Sequence, residues 1–258
     1  MRLYHYTSLD ALTGIVQKGG LCIRGTRYDS MNDPVDCKYA EEIVLPEFRK
    51  CLEEKGYGNG TEEELIFPYV ASFSASEDDF HMWRMYHSEV AIELDDEWIK
   101  RSIEDDPFIL FGECIYPKST DEIHQAFCEL FNKSEQCVND LYLTAREQFM
   151  FIKRKEFSNE KEYRLCTYEN TVSMFSKWET IDSEIPHDIK CKVRNGDLIL
   201  YKEFYIAKCA LLGIIINERD EERYQKVADH LRLWLLQSDY TEKINIRQSE
   251  SGQKIINF

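Results

Sequence analysis

The stretch "NEKEYR" places Glu160 and Glu162 two residues apart, with Arg164 two residues further on. In an extended strand such residues share a face, so Glu160, Glu162 and Arg164 would line up while Tyr163 and Leu165 point the other way. The ordinary use of such a row is a solvated charge ladder. The chemical use is proton transfer or the stabilisation of a developing positive charge by a carboxylate. A second cluster opens the chain: in "LYHYTS" Leu3, His5 and Thr7 share one strand face, with Tyr4 and Tyr6 on the other. An imidazole and a hydroxyl in that position mean that the face is wet or that it lines a site. A third cluster, "SFS", puts Ser72 and Ser74 on one face and runs on to Trp83 and Tyr86 in "MWRMY", which as packing at helical spacing would be unremarked. The fourth, Asn32-Asp33-Pro34, is a strong turn signal.

Competing chemistries lack their signatures. There is no G-x-S-x-G for a hydrolytic nucleophile, no Walker lysine loop and no G-x-G-x-x-G. His81 and His87 are six apart, which does not fit a helical metal pair, and no third ligand accompanies them. The nine cysteines, at 22, 37, 51, 114, 128, 137, 166, 191 and 209, are odd in number and none is in C-x-x-C spacing, so reduced thiols are expected. A net charge of −16, from 48 acidic and 32 basic residues, disfavours a broad nucleic-acid footprint but allows a local basic patch. No 20-residue apolar run and no cationic leader followed by an apolar stretch occurs, so the expectation is a cytoplasmic chain with no membrane partner.

The elements that must position these clusters are legible from their periodicities. The 43% hydrophobic fraction suffices for a packed core, and 15 Tyr with 14 Phe favour sheet. After the first strand, "TSLDALTGIVQKGG" reads as a helix with Thr7 as N-cap, stopped by Gly19 or Gly20. A short strand follows, then a helix from about Val35 to Val44 that Pro46 interrupts or restarts, then a solvated loop over 53–64. Strands are predicted at "YVASFSAS", "EVAIEL", "FILFGECIYP", "EKEYRLCTY", "DLILYKEFYIA", "CALLGIII" and "KINIRQ". Helices are predicted over about 121–154, in two pieces, and over about 218–237. No repeat or linker divides the chain, which reads as a single mixed domain, residues 1–258, with helical insertions.

The opening "LYHYTSLDALTGIVQKGGL", a strand with H-Y-T followed by a capped helix and Gly-Gly-Leu, resembles the start of the ADP-ribosyltransferase superfamily. The order of "MNDPVD", "SFS", "MWRMY", "EKEYR" and "ALLGIII" over residues 3–216 is similar to a bacterial family catalogued as domain-of-unknown-function family 2971, grouped with that fold. The resemblance implies an α+β fold with an ADP-ribosyltransferase-like split mixed β-sheet and NAD, as substrate, in a cleft between its halves. It implies that His5 bonds a ribose, with Thr7 in the same pocket, and that Tyr6 or Tyr86 stacks on nicotinamide. Ser72 and Ser74 match the Ser-x-Ser strand of the arginine-targeting branch. Glu162 would stabilise the oxocarbenium-like state and Glu160 would serve the acceptor; Arg164 or Arg24 would bind the pyrophosphate. Asn32 or Asp33 is expected to bond backbone donors at the cleft mouth. No metal is implied. The activity implied is transfer of ADP-ribose to a protein or nucleic acid, as a toxin or phage-defence effector with an antitoxin or other regulatory protein as partner. A non-catalytic nucleotide- or partner-binding module and an NAD glycohydrolase are the alternatives.

Overall fold

A computed structural model of the chain describes residues 1–31, 39–56, 68–106, 108–133, 148–167, 189–194, 196–240 and 244–251. The architecture is α+β, with helices packed against a large open mixed sheet. Its strands are β1 (Arg2–Thr7), β2 (Val16–Gln17), β3 (Gly20–Arg27), β4 (Tyr69–Ser74), β5 (Val90–Asp95), β6 (Ile109–Glu113), β7 (Glu162–Thr167), β8 (Lys190–Arg194), β9 (Asp197–Ile206), β10 (Leu211–Ile216) and β11 (Asn245–Gln248). The main path runs β11-β10-β5-β1-β4-β3-β9-β8, with β2 on β3, β7 on β4 and β6 on β7. Every strand pair is antiparallel except β10 with β11.

The pairing around β4 positions the site. One edge of β4 is fully laddered to β7, from Tyr69 opposite Thr167 to Ser74 opposite Glu162. The other edge is shared: Tyr69 and Val70 pair with Arg27 and Thr26 of β3, and Ser74 pairs with Tyr4 of β1. Between these pairings β1 and β3 diverge and the sheet forks. A fork leaves backbone groups of the shared strand without a ladder partner, and these need another one.

The main core lies on the face carrying Leu3, Ala71, Phe73 and Leu165. It is covered by α1 (Leu9–Ile15), α4 (Asp96–Ile103) and α6 (Glu221–Gln237), the last contributing Tyr224, Ala228, Leu231 and Leu235. Helix α3 (Phe80–Tyr86) packs Trp83 against Tyr4, Ala91 and Ile215 in a cluster of its own. A separate cluster joins α2 (Leu45–Glu54) to α5 (Thr120–Lys133) through Phe48, Phe127 and Phe149, whose rings meet edge to face. Among the described residues no helix is long and apolar enough to cross a membrane.

Several local expectations are corrected. Ser8, not Thr7, caps α1: Thr7 is the last residue of β1, opposite Val90, while Ser8 Oγ accepts the Ala11 amide at 3.1 Å. The helix ends at Ile15 because Val16 and Gln17 pair with Leu21 and Gly20 in a tight hairpin. Gly20 belongs to that turn: its φ is +154°, and a Cβ there would lie 2.5 Å from the Ile206 carbonyl oxygen. Pro46 sits in the first turn of α2, directly after a π-helical turn over Ala40–Val44. The predicted helix over 121–154 ends before its last residues. Phe151 and Lys153 leave the helix to bond the backbone of Ile115, at 2.7 and 2.9 Å. Helix α4 and strand β8 had no counterpart among the predicted elements.

Candidate functional site

A cleft opens at the fork, enclosing about 190 Å³; its lining includes His5, Ser72, Ser74, Tyr86, Lys153, Glu160 and Glu162, and, from β3 and β8, Arg24, Thr26 and Arg194. That volume is smaller than the ~300 Å³ at which ligand pockets begin, so a ligand of dinucleotide size would extend into the open groove.

His5 closes the fork. Its Nδ1–H donates to the Ser72 carbonyl at 2.9 Å, supplying a partner at the stretch of β4 where β1 and β3 diverge. That bond fixes the tautomer and leaves Nε2 as an acceptor. Burial lowers the His5 pKa below its ordinary value, against the Ser72 bond, so the ring is neutral. Phe73 packs against the ring at 5.7 Å between centroids.

The carboxylates are not on one strand. Glu160 ends a 3₁₀ turn over Lys155–Glu160, Lys161 takes a left-handed conformation with φ of 44°, and Glu162 begins β7. The turn brings the two side chains together as strand alternation would have done, but it buries them. Lys153 Nζ donates to Glu160 Oε2 at 2.7 Å and to Glu162 Oε2 at 2.8 Å. Arg164 Nε donates to Glu162 Oε1 at 3.0 Å, and its Nη1 donates to the Met150 carbonyl at 2.8 Å. Glu162 is 3% exposed and Arg164 1%. A surface ladder is excluded by that burial.

The two carboxylates titrate in opposite directions. Burial would raise Glu162, but the neighbouring charges of Arg164 and Lys153 outweigh it and hold the group at about 2. For Glu160 burial wins over the Lys153 charge and the pKa is raised. Tyr86 donates its hydroxyl to Glu160 Oε2 at 3.2 Å, and burial together with that carboxylate pushes its own pKa up. The residue as a whole is 42% exposed. Ser74 holds the turn, its hydroxyl donating to the Glu160 carbonyl at 2.6 Å and accepting the Ser76 amide at 3.0 Å.

At the other end, Arg24 of β3 lies 5.0 Å from the Tyr201 ring centroid and 3.8 Å from Glu203, with a side chain 44% exposed. Arg194 of β8 donates to the Ser30 carbonyl at 2.8 Å. Lys192, beside them, has its pKa lowered by burial and by the charges of Arg24 and Arg194. Like charges are therefore gathered at this end of an otherwise acidic protein.

The expected site residues thus separate into groups. His5, Ser72, Ser74, Tyr86, Glu160, Glu162 and Arg24 line the cleft. Tyr6 borders it as a brace: its hydroxyl donates to the Ser76 carbonyl and accepts the Asp79 amide, and its ring edge meets Trp83 at 4.7 Å. Thr7 does not line the cleft, since it sits where β1 ends against β5. Arg164 lies behind Glu162 with its guanidinium engaged inside the protein, so it supports that carboxylate and does not face a ligand. Asn32 and Asp33 lie outside the described residues. Lys153 and Arg194 escaped sequence reasoning. Lys153 sits in a run of basic residues, "KRK", in which nothing singles it out, and Arg194 belongs to the strand that was not predicted.

A family model described as "Protein of unknown function (DUF2971)" matches residues 82–165. No curated protein and no solved structure matches the chain.

Proposed function

We propose that the chain is an ADP-ribosyltransferase-like enzyme that binds NAD in this cleft and transfers ADP-ribose to a macromolecule. The observation that carries the reading is the division of one cleft into a carboxylate end and a guanidinium end. NAD has the complementary pattern, a cationic nicotinamide riboside joined to an anionic pyrophosphate. Arg24 and Arg194 are suited to the pyrophosphate as planar fork donors. Tyr86, a partly exposed residue of the cleft lining, suits nicotinamide stacking better than Tyr6, whose edge and hydroxyl are both taken. The Nε2 lone pair of neutral His5 can accept a ribose hydroxyl. The histidine-bearing first strand and the forked sheet agree with the resemblance that the sequence carries.

In the reaction so assigned, the bond between the ribose anomeric carbon and the nicotinamide nitrogen breaks, and its electron pair leaves with neutral nicotinamide. Glu162, held ionised by Arg164 and Lys153, stabilises the oxocarbenium-like ribose. Glu160, a stronger base than an ordinary glutamate, takes the proton from the acceptor nucleophile as the new bond forms. Pairs of carboxylates driven apart in pKa are a recurrent arrangement for dividing such roles.

A second reading, a nucleotide-binding module without turnover, draws on the engagement of Glu162, whose two oxygens are both bonded by cations. Incubating the full chain with NAD labelled on its adenylate moiety and a cell lysate separates the readings. Labelled macromolecule is the expected result; free ADP-ribose alone would make the chain a glycohydrolase, and unconsumed NAD would overturn the enzymatic assignment.

A further inference from the structure

Away from the cleft, the α2–α5 pair gathers four side chains of ligating type. Cys51 and Glu54 lie three apart on α2, and His124 and Cys128 four apart on α5, so each pair shares one helix face. Cys51 Sγ is 2.9 Å from Cys128 Sγ, Cys128 Sγ is 3.4 Å from His124 Nε2, and His124 Nε2 is 3.1 Å from Glu54 Oε2. The ligating atoms of Glu54, His124 and Cys128 all fall within 4.8 Å of one another.

We propose that Cys51, Glu54, His124 and Cys128 form a binding site for a zinc-class divalent cation that staples α2 to α5. Tetrahedral zinc takes bonds of about 2.0–2.3 Å to nitrogen, oxygen and sulfur, which sets its ligand atoms roughly 3.3–3.8 Å apart. The spacings of 3.1 and 3.4 Å among Glu54, His124 and Cys128 approach this range; Cys51, 2.9 Å from Cys128 and outside that mutual group, enters it by rotation of its thiol. Thiolate and imidazole ligands select zinc over magnesium or calcium. Binding displaces one proton from each thiol and leaves two thiolate–metal bonds, with no change in oxidation state.

An independent observation supports a metal over a simple thiol pair. His124 Nδ1 is buried without a hydrogen bond, and Glu47 Oε2 lies 3.3 Å from it. A slight turn of the ring directs Nδ1–H at Glu47 and aims the Nε2 lone pair at the thiols, the orientation that carboxylates impose on metal-bound histidines. A Cys51–Cys128 disulfide would use the two sulfurs but give His124, Glu54 and Glu47 no part.

Cobalt(II) is the probe, titrated into the reduced, metal-stripped full chain. The expected result is saturation at one cobalt per chain with thiolate-to-metal charge-transfer absorption and tetrahedral d–d bands, reversed by zinc, and a melting temperature that rises with either metal. Cys128→Ser should weaken cobalt binding at least about 100-fold, and Glu47→Gln, which changes the partner of His124 Nδ1 but none of the four ligands, about 10- to 100-fold. Cys191→Ser, at an exposed cysteine elsewhere, should change nothing. The absence of a thiolate band, its persistence in Cys128→Ser, or its loss in Cys191→Ser would overturn the proposal. So would isolation of the unreduced chain with Cys51 and Cys128 joined and unable to take up metal after reduction. None of these readouts depends on turnover of NAD.

Discussion

At the carboxylate end of the cleft the charges close into a buried network, whereas at the arginine end Arg24, Lys192 and Arg194 gather with one carboxylate, Glu203, which lies 3.8 Å from Arg24. Glu162, Arg164, Lys153 and Glu160 form a closed buried network. Burial, and then the charges of Arg24 and Arg194, lower the Lys192 pKa. Folding completes the first arrangement; under the proposed function an anion would complete the second. The first end therefore holds a group in one protonation state and geometry, as transition-state stabilisation requires. The second is suited to recruiting a ligand whose charge relieves the crowding. Substitutions at the two ends should accordingly differ in kind.

The largest expected effect is on turnover at the carboxylate end. Glu162→Gln should lower the rate of NAD consumption by about two to four orders of magnitude, with NAD affinity changed only a few-fold. The rate is measured per folded molecule and the affinity by calorimetry. Glu160→Gln should reduce NAD glycohydrolysis less while impairing transfer to the acceptor. Equal, wild-type-like rates for both variants would show that the network is purely structural.

The next effect is on stability. Lys153→Met takes the cation from Glu160 and leaves Glu162 to Arg164, and removing one partner of a buried pair costs about 3–5 kcal/mol. Chemical denaturation would read that loss. A variant as stable as the wild type would show that folding does not depend on the closed network.

Acid titration sharpens the same point. Glu162 has a folded pKa of about 2 against an ordinary 4.5, so between these values the unfolded chain binds the extra proton. Its contribution, on the order of 3 kcal/mol, is present above pH ~4.5 and is lost as the pH falls toward 2. Glu160 has the opposite sign: its folded pKa is raised, so its ionisation opposes folding as the pH climbs from about 4.5 through that raised value. Melting temperatures of wild type and Glu162→Gln should converge as the pH falls from 5 to about 2.

The smallest effect on the fold belongs to the arginine end. Arg24→Gln should raise the Michaelis constant for NAD about ten-fold, the lower part of the range for a charged hydrogen bond of roughly 1.5–3 kcal/mol. Its turnover number should hold within a few-fold and its stability within about 0.5 kcal/mol. A drop in turnover with unchanged Michaelis constant would move Arg24 from ligand capture to the chemistry and collapse the contrast between the two ends.

Local pattern made much of this protein legible. Alternation in "YVASFS" and "EYRLCT" assigned the faces of β4 and β7 correctly, because side chains alternate on any strand regardless of its neighbours. The polar face of the first strand singled out His5, which the cleft contains. Glu160 was placed on the wrong kind of element. A left-handed Lys161 ends the turn, and no residue type announced it; the hydrogen bond of Ser74 to the Glu160 carbonyl helps to hold that turn.

Sequence by itself determined the strands and helices with clear periodicity, the absence of familiar nucleotide loops, and the residue types from which a site could be built. Only the tertiary structure decided which of them meet. Arg164 was equally eligible for a ligand or for Glu162, and burial settled it inward, because an arginine that deep must be bonded to carboxylate and carbonyl at once. Lys153 became the bridge between the carboxylates only because Ile115 pulls its backbone out of a helix. Cys51 and Cys128, 77 residues apart, became neighbours only through the packing of Phe48 on Phe127. Each of these outcomes is a long-range pairing, and the free energy that selects it resides in contacts between segments that no local window of sequence contains.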